Sequence, residues 1–261
     1  MTDIGIDLHL MTRGVSRDYR FIGKSQVDRW WSEYSKWARF EAPTIIVESG
    51  RFYLSGITSA ARRDRVGTPI RYVLAGDMHH TDGRIESNAI RIVINLLAKA
   101  TEGLQGQNSF AGLAEVFDKI DNKLIEKALE DDDEASTNVL AEIEKQLQTL
   151  PYVAPCAPVS ERQWCSGPTE DGLRALVATA ETVLKGDKPD GLAAYLNLAD
   201  EKDVQLALSR GRFGGIVVKD GPRLPKALAR PLISPAVGVL LILILRLILA
   251  FTLAAWWLPL G

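Results

Sequence analysis

Polar and apolar positions alternate at the start of the chain and take on helical spacing towards its middle. Ile4-Gly5-Ile6-Asp7-Leu8-His9-Leu10 has the period-two pattern of a half-buried strand. Asp18 to Gly23 is a second, shorter strand candidate. Ser25 offers an N-cap to a helix running to about Ala38, with Val27, Trp30, Trp31, Tyr34 and Trp37 on one face at steps of three and four. Thr44 to Glu48, Arg51 to Ile57 and Pro69 to Ala75 predict three more strands, the first two closing a hairpin across Ser49-Gly50.

Helical spacing then takes over. Asn88 to Ala100 is densely apolar, and Phe110 to Leu129 repeats Leu113, Val116, Phe117, Ile120, Leu124 and Ile125 as one amphipathic helix. The acidic run Glu130 to Glu134 reads as a solvated helix break, and Val139 to Leu150 as a third helix. Residues 151–168 hold Pro151, Pro155, Pro158 and Pro168, the composition of a loop or linker. Thr169 caps a helix to about Lys185, which Gly186-Asp187-Lys188-Pro189 ends. Glu201 to Leu208 predicts a short helix, and Arg212 to Lys219 a strand containing Gly214-Gly215. Strands and helices look segregated, so the expected fold class is α+β. The expected organisation is a 1–150 domain, a 151–168 linker, a 169–230 continuation of the body, and an apolar helix at 236–258.

That last segment breaks the pattern. Ala236 to Leu258 carries a single charge, Arg246, in 23 residues. As a helix it would be roughly 34 Å long, enough for a hydrocarbon core of about 30 Å. A central Arg costs about 2.5–3.5 kcal/mol on insertion, and each Leu, Ile, Val or Phe returns about 0.3–0.6. The fourteen such residues of the segment return roughly 4–8 kcal/mol, so insertion is favoured. Arg223, Lys226 and Arg230 precede the span, no charged side chain follows it, and Trp256 and Trp257 suit the far interface. The positive-inside rule then puts the body in the cytoplasm, anchored in the inner (plasma) membrane by one C-terminal span. With three residues after Leu258, the layout is that of a tail-anchored protein. Arg246 can snorkel, face a water-filled pore shared between copies, or pair with an acidic residue of another membrane protein.

Composition narrows the rest. Of 261 residues, 46% are hydrophobic and 25% charged, which excludes a mainly disordered chain. A formal net charge of −2 argues against a dedicated nucleic-acid binder. Two cysteines, Cys156 and Cys165, form no disulfide framework and suit reduced thiols.

The densest cationic segment is Ala61 to Arg71. Arg62, Arg63 and Arg65 beside Gly67-Thr68 form a candidate anion-binding loop, because guanidinium groups and turn amides bind oxyanions. Arg71 falls on the following strand. A second basic turn, Arg210-Gly211-Arg212 before Phe213-Gly214-Gly215, has the glycines for close backbone approach. Asp77, His79, His80 and Asp82 cluster after a strand, but their spacing matches no zinc site. The acidic run lacks the spaced ligands of an EF-hand. The chain contains no P-loop, GxSxG, HExxH or CxxC motif. No cofactor is therefore expected.

The body followed by Ala236–Leu258 resembles small bacterial membrane-tethered effectors and accessory proteins of anti-phage systems. The resemblance is one of architecture, carried by no motif. It implies an antiviral defence effector, pore-forming or membrane-disrupting. The first expectation is a non-enzymatic protein, a homo-oligomer or one with a membrane or cytosolic protein partner. Its body senses a small anionic ligand or that partner, and its span then oligomerises. The alternatives are a membrane-anchored enzyme acting on a phosphorylated or nucleotide substrate, and a passive tether for a partner complex.

Overall fold

The computed structural model describes residues 4–23, 33–34, 40–105, 109–154, 163–186, 190–197 and 200–219. The chain divides into two compact units, Met1–Arg223 and Leu224–Gly261. The second lies outside the described residues, and with it the predicted span 236–258, Arg246, Trp256 and Trp257. The Ser25 cap, Val27, Trp30, Trp31, Trp37 and Cys156 lie outside them too. Among the described residues, no helix is long and apolar enough to cross a membrane.

The first unit is an α+β body built on one mixed sheet. Its strands are β1 (Ile6–Thr12), β2 (Arg20–Phe21), β3 (Thr44–Glu48), β4 (Arg51–Arg63), β5 (Pro69–Met78), β8 (Gln163–Ser166), β9 (Gly191–Leu196) and β10 (Phe213–Val218). They lie in the order β2-β1-β5-β4-β3-β9-β10-β8. A small ribbon of β6 (His80–Thr81) and β7 (Arg84–Ile85) stands apart. The helices, in chain order, are α1 (Ser87–Thr101), α2 (Ala111–Phe117), α3 (Asn122–Ala128), α4 (Asp133–Gln148), α5 (Glu170–Leu184) and α6 (Glu201–Arg210).

Strand alternation sorts the core into two layers. Ile6, Leu8, Leu10, Phe52, Leu54, Leu74, Tyr195 and Val217 face α1 to α5. Met11, Ile46, Tyr53, Val73, Ala194, Ile216 and Val218 face the other way, onto Tyr34 and α6 residues Val204, Ala207 and Leu208. The result is a sheet covered on both faces, each fully buried Ile or Leu contributing roughly 1.5–3 kcal/mol.

The hairpin of β3 and β4 pairs Glu48 with Arg51 across Ser49-Gly50, as its sequence predicts. Beyond it β4 is longer than expected. It runs on from Ile57 to Arg63 through register shifts at Leu54/Ile57 and Thr58/Arg63. Gly56 permits this course. Its φ is +78°, and a Cβ there would stand 2.3 Å from the Ala42 carbonyl carbon. Pairing of Arg63 with Pro69 therefore reduces the basic loop to residues 64–68.

Four further expectations are corrected. Phe110 to Leu129 is two helices, because Asp121 caps a fresh start by accepting the Lys123 amide. The acidic run breaks the helices between Ala128 and Asp133 as expected, but the next helix starts within it, at Asp133 and not at Val139. Asp132 accepts the Ala135 amide at the cap of α4, and Asp133 and Glu134 occupy its first turn, where carboxylates favour the helix dipole. Residues 163–166, inside the proline-rich stretch, form an edge strand paired parallel to β10. Finally, β8-α5-β9-α6-β10 alternates strand and helix, with β8 and β9 both parallel to β10, so segregation holds only for the N-terminal part. Antiparallel pairing of β3 with β9 joins both parts in one sheet.

Candidate functional site

The two predicted basic turns stand apart. Arg51 opens β4 and Arg63 closes it. Their partners on β5, Asp77 and Pro69, are eight residues apart, so the two ends lie roughly 26 Å apart at about 3.3 Å per residue. Arg210 belongs to the Arg51 end, through Glu48 and Glu33.

At the far end, Asp64 builds the tip. Its Oδ1 accepts the amides of Val66 (3.0 Å) and Thr68 (2.8 Å), and its carbonyl accepts that of Gly67. Its Oδ2 meets Arg13 Nη1 at 3.3 Å. The Asp64 side chain is 7% exposed, so its charge is spent inward. Gly67 supplies the positive φ, +86°, and Arg65 donates its amide to the Val15 carbonyl at 3.1 Å, tying the tip to the neighbouring loop. Arg63 and Arg65 lie on the outside. Arg63 Nη1 reaches only the Gly67 carbonyl, at 3.1 Å. Among the described residues neither guanidinium meets a carboxylate within salt-bridge distance. Asp64, the acid between them, is satisfied by Arg13 and two amides, so the tip presents two positive charges outward.

Arg62 has a different place. It is 4% exposed. Its Nη1 donates to Thr12 Oγ1 (3.2 Å), and its Nη2 to the Arg13 carbonyl (2.9 Å) and Glu126 (3.3 Å). The guanidinium lies 5.7 Å over the Tyr72 ring. Beside it, Asp118 accepts the amides of Ala60 and Ala61 and the hydroxyls of Ser59 and Tyr72. Arg62 is thus an internal strut between the hairpin, β1 and α3. Alternation along β4 turns Arg62 inward and Arg63 outward, but the bulges that precede them hide this phase in the sequence.

The Arg51 end holds a charged lattice that sequence reading missed. Glu48 Oε2 meets Arg51 Nη2 at 2.7 Å, and its Oε1 meets Arg210 Nε at 3.0 Å. Glu33 bonds both Arg51 and Arg210. The Tyr34 ring lies within 5.8 Å of both guanidiniums, and its hydroxyl donates to Glu48 at 3.1 Å. Burial raises the Glu33 carboxyl, but the Arg210 hydrogen bond and the Arg51 charge outweigh it and hold it below its ordinary value. Burial and the Glu48 charge push the Tyr34 phenol upward, keeping it protonated. The two arginines share the same two glutamates, which balance their charge, so Arg210 is turned to carboxylates. Arg212 is exposed and stands 3.7 Å from Asp190.

A shallow polar cleft of about 580 Å³ opens beside this lattice, lined by Glu48, Arg51, Asp77, His80, Asp190 and Arg210 among others. Two imidazole–carboxylate pairs flank the neighbouring strands, His9 with Asp77 (3.5 Å) and His79 with Asp7 (3.0 Å). Among the described residues no cluster of His, Cys, Asp or Glu could hold a metal. Cys165 is a free thiol, raised by burial, so it lacks the lowered value of a reactive thiolate.

The Gly214-Gly215 pair serves packing. A Cβ on Gly215 would stand 1.9 Å from the Trp164 ring, and one on Gly214 1.9 Å from the Leu192 carbonyl oxygen. The glycines bring β8 and β9 close to β10, and Trp164 Nε1 donates to Thr179 on α5 at 3.2 Å. No family model matches the chain, and no curated protein or solved structure matches it either.

Proposed function

We propose that this is a membrane-anchored binding protein rather than an enzyme. Its α+β body recognises an anionic ligand or partner through Arg63, Arg65, Gly67 and Thr68 at the β4–β5 tip. The apolar stretch 236–258 spans the inner membrane, and copies associate there with Arg246 facing an interior. Ligand binding that favours an assembled body would then bring spans side by side, the behaviour of a pore-forming or membrane-disrupting defence effector.

The observation that carries this reading is the tip. Two exposed cations meet no carboxylate among the described residues, on a turn that Asp64 fixes from within. Preorganised and unpaired, they need no ion pair broken before binding. Arg62, Arg210 and Arg212 take no part as anion ligands in this reading, because each already faces a carboxylate.

A tail swap tests it. The residues from Pro235 onward are replaced by an unrelated single-span anchor without an internal Arg. Loss of the native membrane phenotype, with expression and membrane localisation intact, is the expected result. Full function with the foreign anchor would reduce the segment to a passive tether.

A second reading, a membrane-anchored enzyme acting on a phosphorylated or nucleotide substrate, is favoured by one observation. His80 and Asp77 line the cleft, within reach of acid–base work on a bound molecule. His80→Ala and Asp77→Asn would abolish function there and spare a binding protein.

A further inference from the structure

We infer that the β4–β5 tip is a lipid-docking element, one that seats on the anionic headgroups of the membrane anchoring the chain. This rests on the reading that 236–258 is a membrane span, and it names the ligand of the tip as headgroup phosphate.

Two observations combine. The first is the outward pair of cations, Arg63 and Arg65, which meet no carboxylate among the described residues. The second is apolar. Val66 is 84% exposed and Val15 47%, two of the four exposed large hydrophobic residues among those described. They stand on adjacent loops joined by the Arg65 amide and the Val15 carbonyl. An isolated exposed valine needs no explanation. Two of them beside arginines, at the end of the β4–β5 hairpin, form the pairing that an interface of charged headgroups and acyl chains takes up. The neighbouring acids Glu126, Glu130 and Asp131 are paired with Arg62, Arg17 and Arg20, and Asp18, which accepts the Tyr19 amide, sets one negative charge against the two outward arginines. They leave the tip positive.

The contact is weak by itself. An arginine near an anionic surface strengthens association roughly fivefold, so two contribute about 25-fold. An anchored body is already confined near the bilayer, where such a factor decides whether the tip is docked.

The test uses the full chain in liposomes. Val66→Cys, with Cys156→Ala and Cys165→Ala, carries an environment-sensitive fluorophore, and the lipids carry a headgroup-level quencher. Vesicles of phosphatidylcholine alone are compared with vesicles containing about one third phosphatidylglycerol. The expected result is blue-shifted, quenched emission in the anionic vesicles only. About 0.5 M salt should reverse it, and Arg63→Gln with Arg65→Gln should lower the docked-to-undocked ratio by about 25-fold. A label at exposed Lys145, replaced by Cys, should stay unquenched. Identical emission in both vesicle types, from a chain that resists carbonate extraction, overturns the inference and leaves the anchor standing. A tip that ignores lipid yet is occupied by an acidic protein overturns it in favour of a protein partner. A chain that carbonate strips from the vesicles overturns the anchor, and the lipid-docking inference falls with it.

Discussion

Arg210, the last residue of α6, reaches across the sheet to Glu48, the last residue of β3, with Nε 3.0 Å from Oε1. The bond fastens a C-terminal helix to an N-terminal hairpin, and Arg51 and Glu33 complete the link. Arg210→Ala would leave Arg51 as the one cation of this lattice facing both Glu48 and Glu33. A loss of about 1–3 kcal/mol is expected, the range for removing one partner of a half-buried charged hydrogen bond. Urea unfolding followed by tryptophan fluorescence measures it. Arg212→Ala, at an exposed position, should stay within about 0.5 kcal/mol.

The same lattice gives a pH dependence with a definite sign. Glu33 titrates below its ordinary value of 4.5 in the folded chain. Its contribution is therefore complete above pH 4.5 and is lost as pH falls through the depressed value. In urea midpoints taken from about pH 6 down to about pH 3, wild type should lose stability more steeply than Glu33→Gln. At the alkaline end, burial pushes the Tyr53 phenol up to about 12 from 10.0. That contribution is present below pH 10 and is lost as pH rises through about 12. Tyr53→Phe should flatten the alkaline decline.

Neighbouring arginines on β4 should behave oppositely. Arg62→Met removes a buried strut and leaves Thr12 and the Arg13 carbonyl without its hydrogen bonds, with an expected loss of about 1–3 kcal/mol. Arg63→Gln should change stability by less than about 0.5 kcal/mol. Thermal unfolding of the two variants side by side separates structural from outward-facing arginine.

Gly215→Ala presses a methyl group into the Trp164 ring. Overpacking of this kind costs about 1–3 kcal/mol. The accompanying signature should be a change in near-ultraviolet circular dichroism as Trp164 leaves Thr179.

Local signals carried much of this fold into the sequence. Thr44–Glu48 and its turn at Ser49-Gly50 were legible because alternation and a two-residue turn are short-range features. Thr169 was legible as a cap because its hydroxyl has one local task, accepting the Gly172 amide. Residues 191–196 were not, since Gly-Leu-Ala-Ala-Tyr-Leu is buried on both faces and so shows no alternation. Residues 163–166 were hidden by surrounding prolines and are a strand because β10 offers them an edge. At the site, arginine density singled out residues 62–65. It gave no means of separating Arg62 from Arg63, which takes the bulge phase of β4. The Glu33–Glu48–Arg51–Arg210 lattice joins residues far apart in the chain, and no spacing rule reaches that far.

The most direct test of the account is carbonate extraction of membranes from cells expressing the full chain, beside a variant with Leu243→Asp and Ile248→Asp. Each aspartate near the centre of a span costs about 2.5–3.5 kcal/mol, enough together to cancel insertion. The account predicts that wild type stays with the membrane pellet and the double variant moves to the supernatant. Wild type released as completely as the variant would contradict it.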